Sequence, residues 1–227
     1  MASIVTDIRR VQQRAEQLKI TEIFHSLQGE ARDAGRPTVF VRLTGCPLRC
    51  GYCDTAYAFG GGEWWTIEGI VETVGRHPVD HVCVTGGEPL AQKRCLGLLE
   101  RLCDAGYQVS LETSGAISVA GVDPRVVKVL DLKTPASGES HRNRWDNLDR
   151  LGPGDQIKFV VCDRGDFEWA LARIHEHRLA QRFDVWLSPS HEQLDAAELA
   201  NWMLESGARV RMQIQMHKYI WGDVAGR

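Results

Sequence analysis

Apolar residues along this chain follow two alternating rhythms. Short runs rich in β-branched and aromatic side chains cover residues 20–24, 38–43, 81–85, 107–112, 126–133, 157–161, 183–187 and 210–215, and read as strands. Between them, residues 66–77, 90–105, 143–151, 166–179 and 196–205 carry apolar positions at helical spacing, and Gly106 and Gly207 end two of these runs. The opening residues 4–18 place Ile4, Ile8, Val11, Ala15 and Leu18 along one face, which predicts an amphipathic helix. Strands alternating with helices through short connections predict an α/β fold with a parallel sheet and crossover helices. Periodicity admits two closures, an open doubly wound sheet and a barrel-like curve. In both, reactive groups collect in loops at the carboxyl ends of strands. The segments Thr85-Gly86-Gly87-Glu88-Pro89, Glu112-Thr113-Ser114-Gly115, Asp131-Leu132-Lys133-Thr134-Pro135 and Ser188-Pro189-Ser190-His191 all fall at such ends. That repeated placement favours an enzyme over a structural protein.

The 227 residues contain no repeat and no Pro-, Gly- or Ser-rich linker. A single domain over 1–227 is expected, with an N-terminal helical extension over about 1–19. The net charge of −3 argues against unspecific binding to nucleic acid or anionic membrane, so neither is an expected partner. The N-terminus carries acid and arginine where a secretory signal needs an apolar stretch, and no run approaches the ~18 apolar residues of a membrane span. Seven cysteines cannot all pair internally. A cytoplasmic protein with reduced thiols is the expectation.

Three of those thiols lie within eight positions, in Gly45-Cys46-Pro47-Leu48-Arg49-Cys50-Gly51-Tyr52-Cys53-Asp54-Thr55. The spacing C-x3-C-x2-C lets them converge on one centre, and sulfur ligands select zinc, copper(I) or an iron–sulfur cluster. Structural zinc needs four ligands and an electron-carrying cluster usually has four cysteines, whereas the loop offers three. Cys83, Cys95, Cys103 and Cys162 lie inside strand or helix patterns and read as small buried apolar residues. Two arrangements stand: a zinc knob completed by a histidine such as His25, and a four-iron cluster with one iron left open.

The cysteine spacing, with an aromatic residue immediately before the last cysteine, resembles the signature of the radical S-adenosylmethionine (SAM) superfamily. Ser26-Leu27-Gln28-Gly29-Glu30, Phe40-Val41-Arg42-Leu43, Cys53-Asp54-Thr55, Val84-Thr85-Gly86-Gly87-Glu88-Pro89, Glu112-Thr113-Ser114-Gly115 and Gln215-Met216-His217-Lys218-Tyr219 together resemble the 7-carboxy-7-deazaguanine synthase family within it. The resemblance implies an incomplete, modified (β/α) barrel, usually a homodimer. It implies a [4Fe-4S] cluster on Cys46, Cys50 and Cys53 whose open iron binds SAM. It also implies conversion of 6-carboxy-5,6,7,8-tetrahydropterin to 7-carboxy-7-deazaguanine in queuosine precursor synthesis. There a 5′-deoxyadenosyl radical takes hydrogen from C6, the ring contracts and ammonia leaves. Magnesium assists, and an electron donor such as flavodoxin is expected.

By the same resemblance, Thr55 would offer its hydroxyl to Mg2+. Tyr52, Cys53, Asp54, Gly86, Gly87, Glu88, Lys133, Ser188, Pro189, Ser190 and His191 would contact SAM. Leu27, Gln28, Gly29, Glu30, Arg42, Thr85 and His217 would contact substrate, with Glu112 as a possible catalytic carboxylate. Physical chemistry runs alongside. Carboxylate and amide suit the donors and acceptors of a pterin edge, and a guanidinium suits a carboxylate in two-pronged geometry. Each residue also has a plainer reading: Gln28 and Glu30 as a solvated turn, Arg42 as an outward strand residue, Thr55 as a helix cap. Val39, Val41 and Leu43 share one strand parity and Phe40 and Arg42 the other. The loop 56–65, with Gly60, Gly61, Gly62, Trp64 and Trp65, reads as core packing by tryptophan, or else as a cover or donor-docking loop. The competing readings are a radical SAM activase of a glycyl radical enzyme and a zinc or iron–sulfur binding module.

Overall fold

The computed structural model describes residues 17–191, 193–222 and 224–226. Nine strands form one sheet: β1 Gln17–Leu27, β2 Pro37–Leu43, β3 Glu63–Thr66, β4 His81–Gly86, β5 Gln108–Thr113, β6 Val127–Asp131, β7 Gln156–Val161, β8 Asp184–Pro189 and β9 Arg211–Met212. Their order is β3-β1-β2-β4-β5-β6-β7-β8-β9. From β2 through β9 every pairing is parallel, while β1 is antiparallel to both β2 and β3. The helices are α1 Ile67–Val74, α2 Cys95–Asp104, α3 Arg164–Glu176, α4 Leu179–Arg182, α5 Ala196–Ser206 and α6 Met216–Trp221. The edge strands β3 and β9 do not pair with each other, so the sheet is an incomplete barrel rather than a closed one.

Strand parity divides the molecule. Val39, Val41 and Leu43 of β2, Val82 and Val84 of β4, Leu111 of β5, Ile157, Phe159 and Val161 of β7, and Leu187 of β8 belong to one buried apolar core. Ile70 and Val74 of α1, Leu98, Leu99 and Leu102 of α2, Phe167 and Ala170 of α3 and Leu199 of α5 complete it from the helix side. Full burial of each such side chain contributes about 2 kcal/mol, enough for the outer layer alone to hold the helices on the sheet. Alternate residues face the other way and line the lumen: Phe40 and Arg42, Thr85, Glu112, Val129 and Asp131, Lys158 and Val160, and Ser188. The plain reading of Arg42 as an outward residue is therefore excluded.

The loop after β1 spans the open side of the barrel. Ala31 N–H donates to Gln213 Oε1 at 2.7 Å, and Arg32 N–H donates to Gln156 Oε1 at 3.0 Å. The Arg32 guanidinium pairs with Asp184 at 2.7 Å. Ala31 takes a left-handed φ of 62°, a strained conformation for a residue with a Cβ, held by the Gln213 bond.

Several boundaries differ from the sequence reading. The expected N-terminal helix lies outside the described residues except at its end, where Gln17, Leu18 and Lys19 belong to β1. Leu18 and Ile20 are buried there on alternation, and residues 17–20 pair with β3. The strand β3 was not expected; Trp65 packs on the core as read, but Trp64 is 61% exposed. Residues 143–151 form the 3-10 turn Trp145–Arg150 instead of an α-helix. The predicted strand 210–215 shrinks to Arg211–Met212, because Gln213 turns its amide to Ala31 and Glu30, and α6 begins three residues later. The predicted helix 166–179 breaks at Arg178, whose φ is 52°. Among the described residues no helix is long and apolar enough to cross a membrane.

Gln156 is buried, and its Oε1 accepts from both Arg32 N–H and the Trp186 indole at 2.9 Å. Gln156→Leu strands the buried Trp186 indole and the part-buried Arg32 N–H on the barrel seam. It should lower the unfolding free energy by about 3 kcal/mol in urea titration, while an exposed control on α4, Gln181→Leu, changes it by less than about 0.5 kcal/mol.

Candidate active site

The lumen opens into one large cavity at the carboxyl ends of the strands. Its wall begins with the cysteine loop that follows β2: Cys46, Cys50, Tyr52, Cys53, Asp54 and Thr55 all line it. Cys83, Cys95, Cys103 and Cys162 do not, and Cys83 and Cys95 are buried. His25 is also turned away, being the strand neighbour of the cavity-facing Phe24, and its ring lies tilted against His77 with centroids 5.3 Å apart. It does not complete a zinc knob. Among the described residues no three His, Cys, Asp or Glu side chains surround a single-ion position.

The strand-end turns complete the wall. After β4, Gly86 and Gly87 line the cavity and Gly87 N–H donates to Leu43 O at 3.2 Å. A Cβ on Gly87 would sit 2.5 Å from Gly45 O and 2.7 Å from Cys46 Cβ, so the glycine turn is pressed directly on the cysteine loop. Glu88 departs from its expected role, since it does not line the cavity. Fully buried, its carboxylate accepts from Thr113 Oγ1 at 2.9 Å, Ser114 N–H at 2.7 Å, Ser114 Oγ at 2.5 Å and Leu90 N–H at 3.0 Å. It joins the ends of β4 and β5 and leaves the Gly86–Gly87 backbone to face the cavity.

Lys133, after β6, is braced by Asn143, whose amide accepts from Lys133 N–H at 2.9 Å and donates to Lys133 O at 2.8 Å. Its ammonium pairs with Asp131 at 3.0 Å and lies 5.6 Å from the Tyr52 ring centroid. Burial is the largest single influence and opposes the charge, but Asp131 together with Tyr52 and Cys50 outweighs it and raises the Lys133 pKa above the ordinary lysine range. Ser188, Pro189, Ser190 and His191 line the cavity beside it, as their strand-end position predicts. Burial pushes the Cys50 thiol up to about 11 and raises Cys46 as well.

On the opposite side lie Leu27, Gln28, Gly29, Glu30, Arg42, Thr85, Glu112 and His217. Glu112 is the hub, accepting from Gln28 Nε2 at 3.3 Å and from Thr85 Oγ1 at 3.1 Å. Arg42 donates through Nε to Glu22 Oε1 at 2.7 Å, and Tyr57 donates to the same oxygen at 2.8 Å. Phe24 and Phe40 stack at 4.9 Å and give the cavity an aromatic wall. His217 lies against Gly29, where an added Cβ would meet Nδ1 at 2.2 Å; burial lowers its pKa below the ordinary histidine value.

Asp54 ties the two sides together. Gln215 donates to its carboxylate at 3.0 Å and Lys218 pairs with it at 3.0 Å, so α6 is fastened to the cysteine loop. Burial works to raise the Asp54 pKa, but the Gln215 amide and the Lys218 ammonium overcome it and hold it well below the carboxylate range. Thr55 does not cap the helical turn after it; its hydroxyl donates to Asp54 Oδ1 at 2.9 Å. Sequence reasoning gave no site role to Lys158 or Phe24, and none of their own to Asp131 and Ser114 within the strand-end segments it singled out, yet all four line the cavity. Strand parity with Arg42-like polar residues in apolar runs was the available signal for Asp131 and Lys158.

Comparison with known proteins agrees with this geometry. Residues 40–131 match the Radical SAM superfamily. The 7-carboxy-7-deazaguanine synthase of Koribacter versatilis (strain Ellin345) is 45% identical over 219 residues, covering 90% of this chain and 97% of that protein. The synthase of Chlorobaculum tepidum is 44% identical, covering 92% and 96%. The crystal structure of QueE from Escherichia coli shares the fold, with a TM-score of 0.75 at 24% identity, covering 92% of this chain and 98% of that one. The protein is a radical SAM enzyme. Within that superfamily the chain belongs to the 7-carboxy-7-deazaguanine synthase family.

Membership implies a [4Fe-4S] cluster and SAM, and the cavity suits both. One loop supplies three thiols to the same wall. The Tyr52 hydroxyl and Asp131 Oδ1 are buried there without a hydrogen-bond partner among the described residues. Polar atoms left over in this way favour a polar ligand between the loop and the strand ends.

The contact between Gly87 and the cysteine loop is directly testable. In Gly87→Ala the new Cβ must push Gly45 and Cys46 away. Iron bound per chain after anaerobic reconstitution should fall while the far-UV circular dichroism spectrum is retained, and turnover should drop on the order of 10²-fold.

Proposed function

We propose that this protein converts 6-carboxy-5,6,7,8-tetrahydropterin to 7-carboxy-7-deazaguanine with loss of ammonia, supplying the queuosine precursor pathway. The observation that carries the reading is a single cavity in which the three-cysteine loop faces a wall of Gln28, Glu30, Arg42, Thr85, Glu112 and His217. Cys46, Cys50 and Cys53 hold the cluster. The Gly86–Gly87 backbone, Tyr52, Lys133, Ser188, Pro189, Ser190 and His191 bound the space for SAM. When bound, the cluster and SAM would supply the one-electron chemistry that begins with hydrogen abstraction at substrate C6.

The chain's own groups bind and orient. The ionised Glu30 accepts from the pterin ring N–H and amino donors, and Gln28 serves both donor and acceptor atoms of that edge. Arg42 is held through Nε by Glu22, and its terminal nitrogens make no hydrogen bond among the described residues, so they suit the substrate carboxylate. His217, neutral at pH 7 because burial lowers its pKa, adds a neutral hydrogen bond on the same side. Thr55 would offer its oxygen to Mg2+. Glu112, which accepts from Gln28 and Thr85, serves in this reading as the catalytic carboxylate that receives a proton from the substrate during ring contraction. A flavodoxin-type electron donor, a homodimer and a cytoplasmic setting complete the reading.

Protein purified without oxygen should carry four irons per chain rather than one zinc. With reductant, SAM and carboxytetrahydropterin it should yield a deazaguanine carboxylate by mass analysis. SAM cleavage without that product, whatever peptide is added, would end the assignment. Arg42→Met should raise KM for the pterin on the order of 10²-fold, through loss of two charged hydrogen bonds worth about 3 kcal/mol together.

A further inference from the structure

Lys158 lies in an apolar strand run, yet its side chain enters the cavity. Its ammonium lies 2.5 Å from Glu30 Oε2 and 3.5 Å from Asp131 Oδ2. Asp131 in turn holds the Lys133 ammonium at 3.0 Å, beside Tyr52 of the cysteine loop. Glu30, Lys158, Asp131 and Lys133 thus form a row of alternating charge across the cavity, from the pterin side to the cysteine side. Their side chains are between 10% and 17% exposed, so none would stay charged cheaply on its own. Buried pairs of this kind add little net stability, and removing one member strands the other.

We propose that Lys158 is a positioning residue: it holds the Glu30 carboxylate charged and fixed at the cavity wall, and through Asp131 it ties the pterin side of the site to Lys133 beside the cysteine loop. The proposal rests on the reading that Glu30 accepts hydrogen bonds from the pterin.

Glu30 is faced from each neighbouring element. Lys158 comes from β7, Gln213 donates from beyond β9 at 3.1 Å, His217 comes from α6 and Asp54 from the cysteine loop. Glu112 on β5 acts on Lys158 in addition. Burial alone pushes the Glu30 carboxyl up, and Lys158 is the strongest influence reversing it, leaving its pKa below the ordinary value. The sign follows. With Lys158 present, Glu30 is ionised across neutral pH and pterin binding does not vary there. Without it, the Glu30 pKa rises, the carboxylate is protonated as pH falls, and the pterin loses its acceptor. His217 does not confuse the range above pH 7, since its pKa is lowered from 6.5.

The test is the dissociation constant of carboxytetrahydropterin, measured anaerobically on cluster-loaded protein from about pH 7 to about pH 8.5. The parent should vary by less than about twofold. Lys158→Met should bind about tenfold more weakly at pH 7 and recover towards pH 8.5, one pKa unit being a tenfold change. Lys158→Arg should restore a flat profile. Lys158→Met/Glu30→Gln should bind weakly but without pH dependence, whereas mere loosening of the barrel would leave the dependence in place. Iron content should be unchanged in all. A Lys158→Met protein with the parent's affinity and flat profile overturns the proposal, as does a pH dependence that survives in the double variant. Should Lys158→Met fail to fold, the parent decides: a binding midpoint between pH 7 and 8.5 overturns the proposal and a flat curve sustains it. If the parent binds no pterin, the substrate assignment fails and this proposal with it. If the parent binds and turns over while Lys158→Met is indistinguishable from it, this proposal fails alone.

Discussion

An incomplete barrel has two edges that must be joined by something other than a strand. Here the loop after β1 joins them, reaching Gln213 beyond β9, Gln156 on β7 and Asp184 on β8. The same loop carries Gln28 and Glu30 into the lumen. Closure and recognition therefore rest on one set of contacts. The Glu30–Lys158 pair is the lumenal part of that seam, and its worth lies in geometry rather than net stability. Were the loop to lift, the barrel would open and the lumenal groups of Gln28 and Glu30 would leave with it.

The second joint is between backbones. Gly87 has no room for a side chain against Gly45 and Cys46, so the turn after β4 and the cysteine loop after β2 move as one body. Glu88, buried beneath, fastens that body to the end of β5 through Thr113 and Ser114. A fixed cradle of this kind keeps a cofactor's reactive atom within the tolerance that catalysis demands. The C-terminal residues add a third joint, because Gln215 and Lys218 grip Asp54 while His217 rests on Gly29. The loop after β1 and the cysteine loop thereby meet at the C-terminal residues.

Much of this was legible in the sequence. The three-cysteine spacing, the glycine turn and the four strand-end segments are local patterns, and the structure brings them to one cavity. The parity of Val39, Val41 and Leu43 against Phe40 and Arg42 also reads directly, since alternation along a strand separates two faces, but only the structure turns Arg42 into the lumen. Glu88 is instructive in the other direction. Its motif associates it with the cofactor, but its carboxylate is consumed by Thr113, Ser114 and Leu90. A motif records which residue is needed, and only packing says whether its side chain or its backbone does the work.

What the chain determined by itself is the alternation of most strands and helices, the division of strand residues into two faces and the thiol spacing, because each depends on neighbours a few residues away. What tertiary structure alone decided is which distant charges meet. Glu30 finds Lys158 across 128 positions and Asp54 finds Gln215 across 161. No periodicity encodes such pairings. They follow from how far the sheet curls before a loop must bridge it, and that curl is a property of the whole barrel.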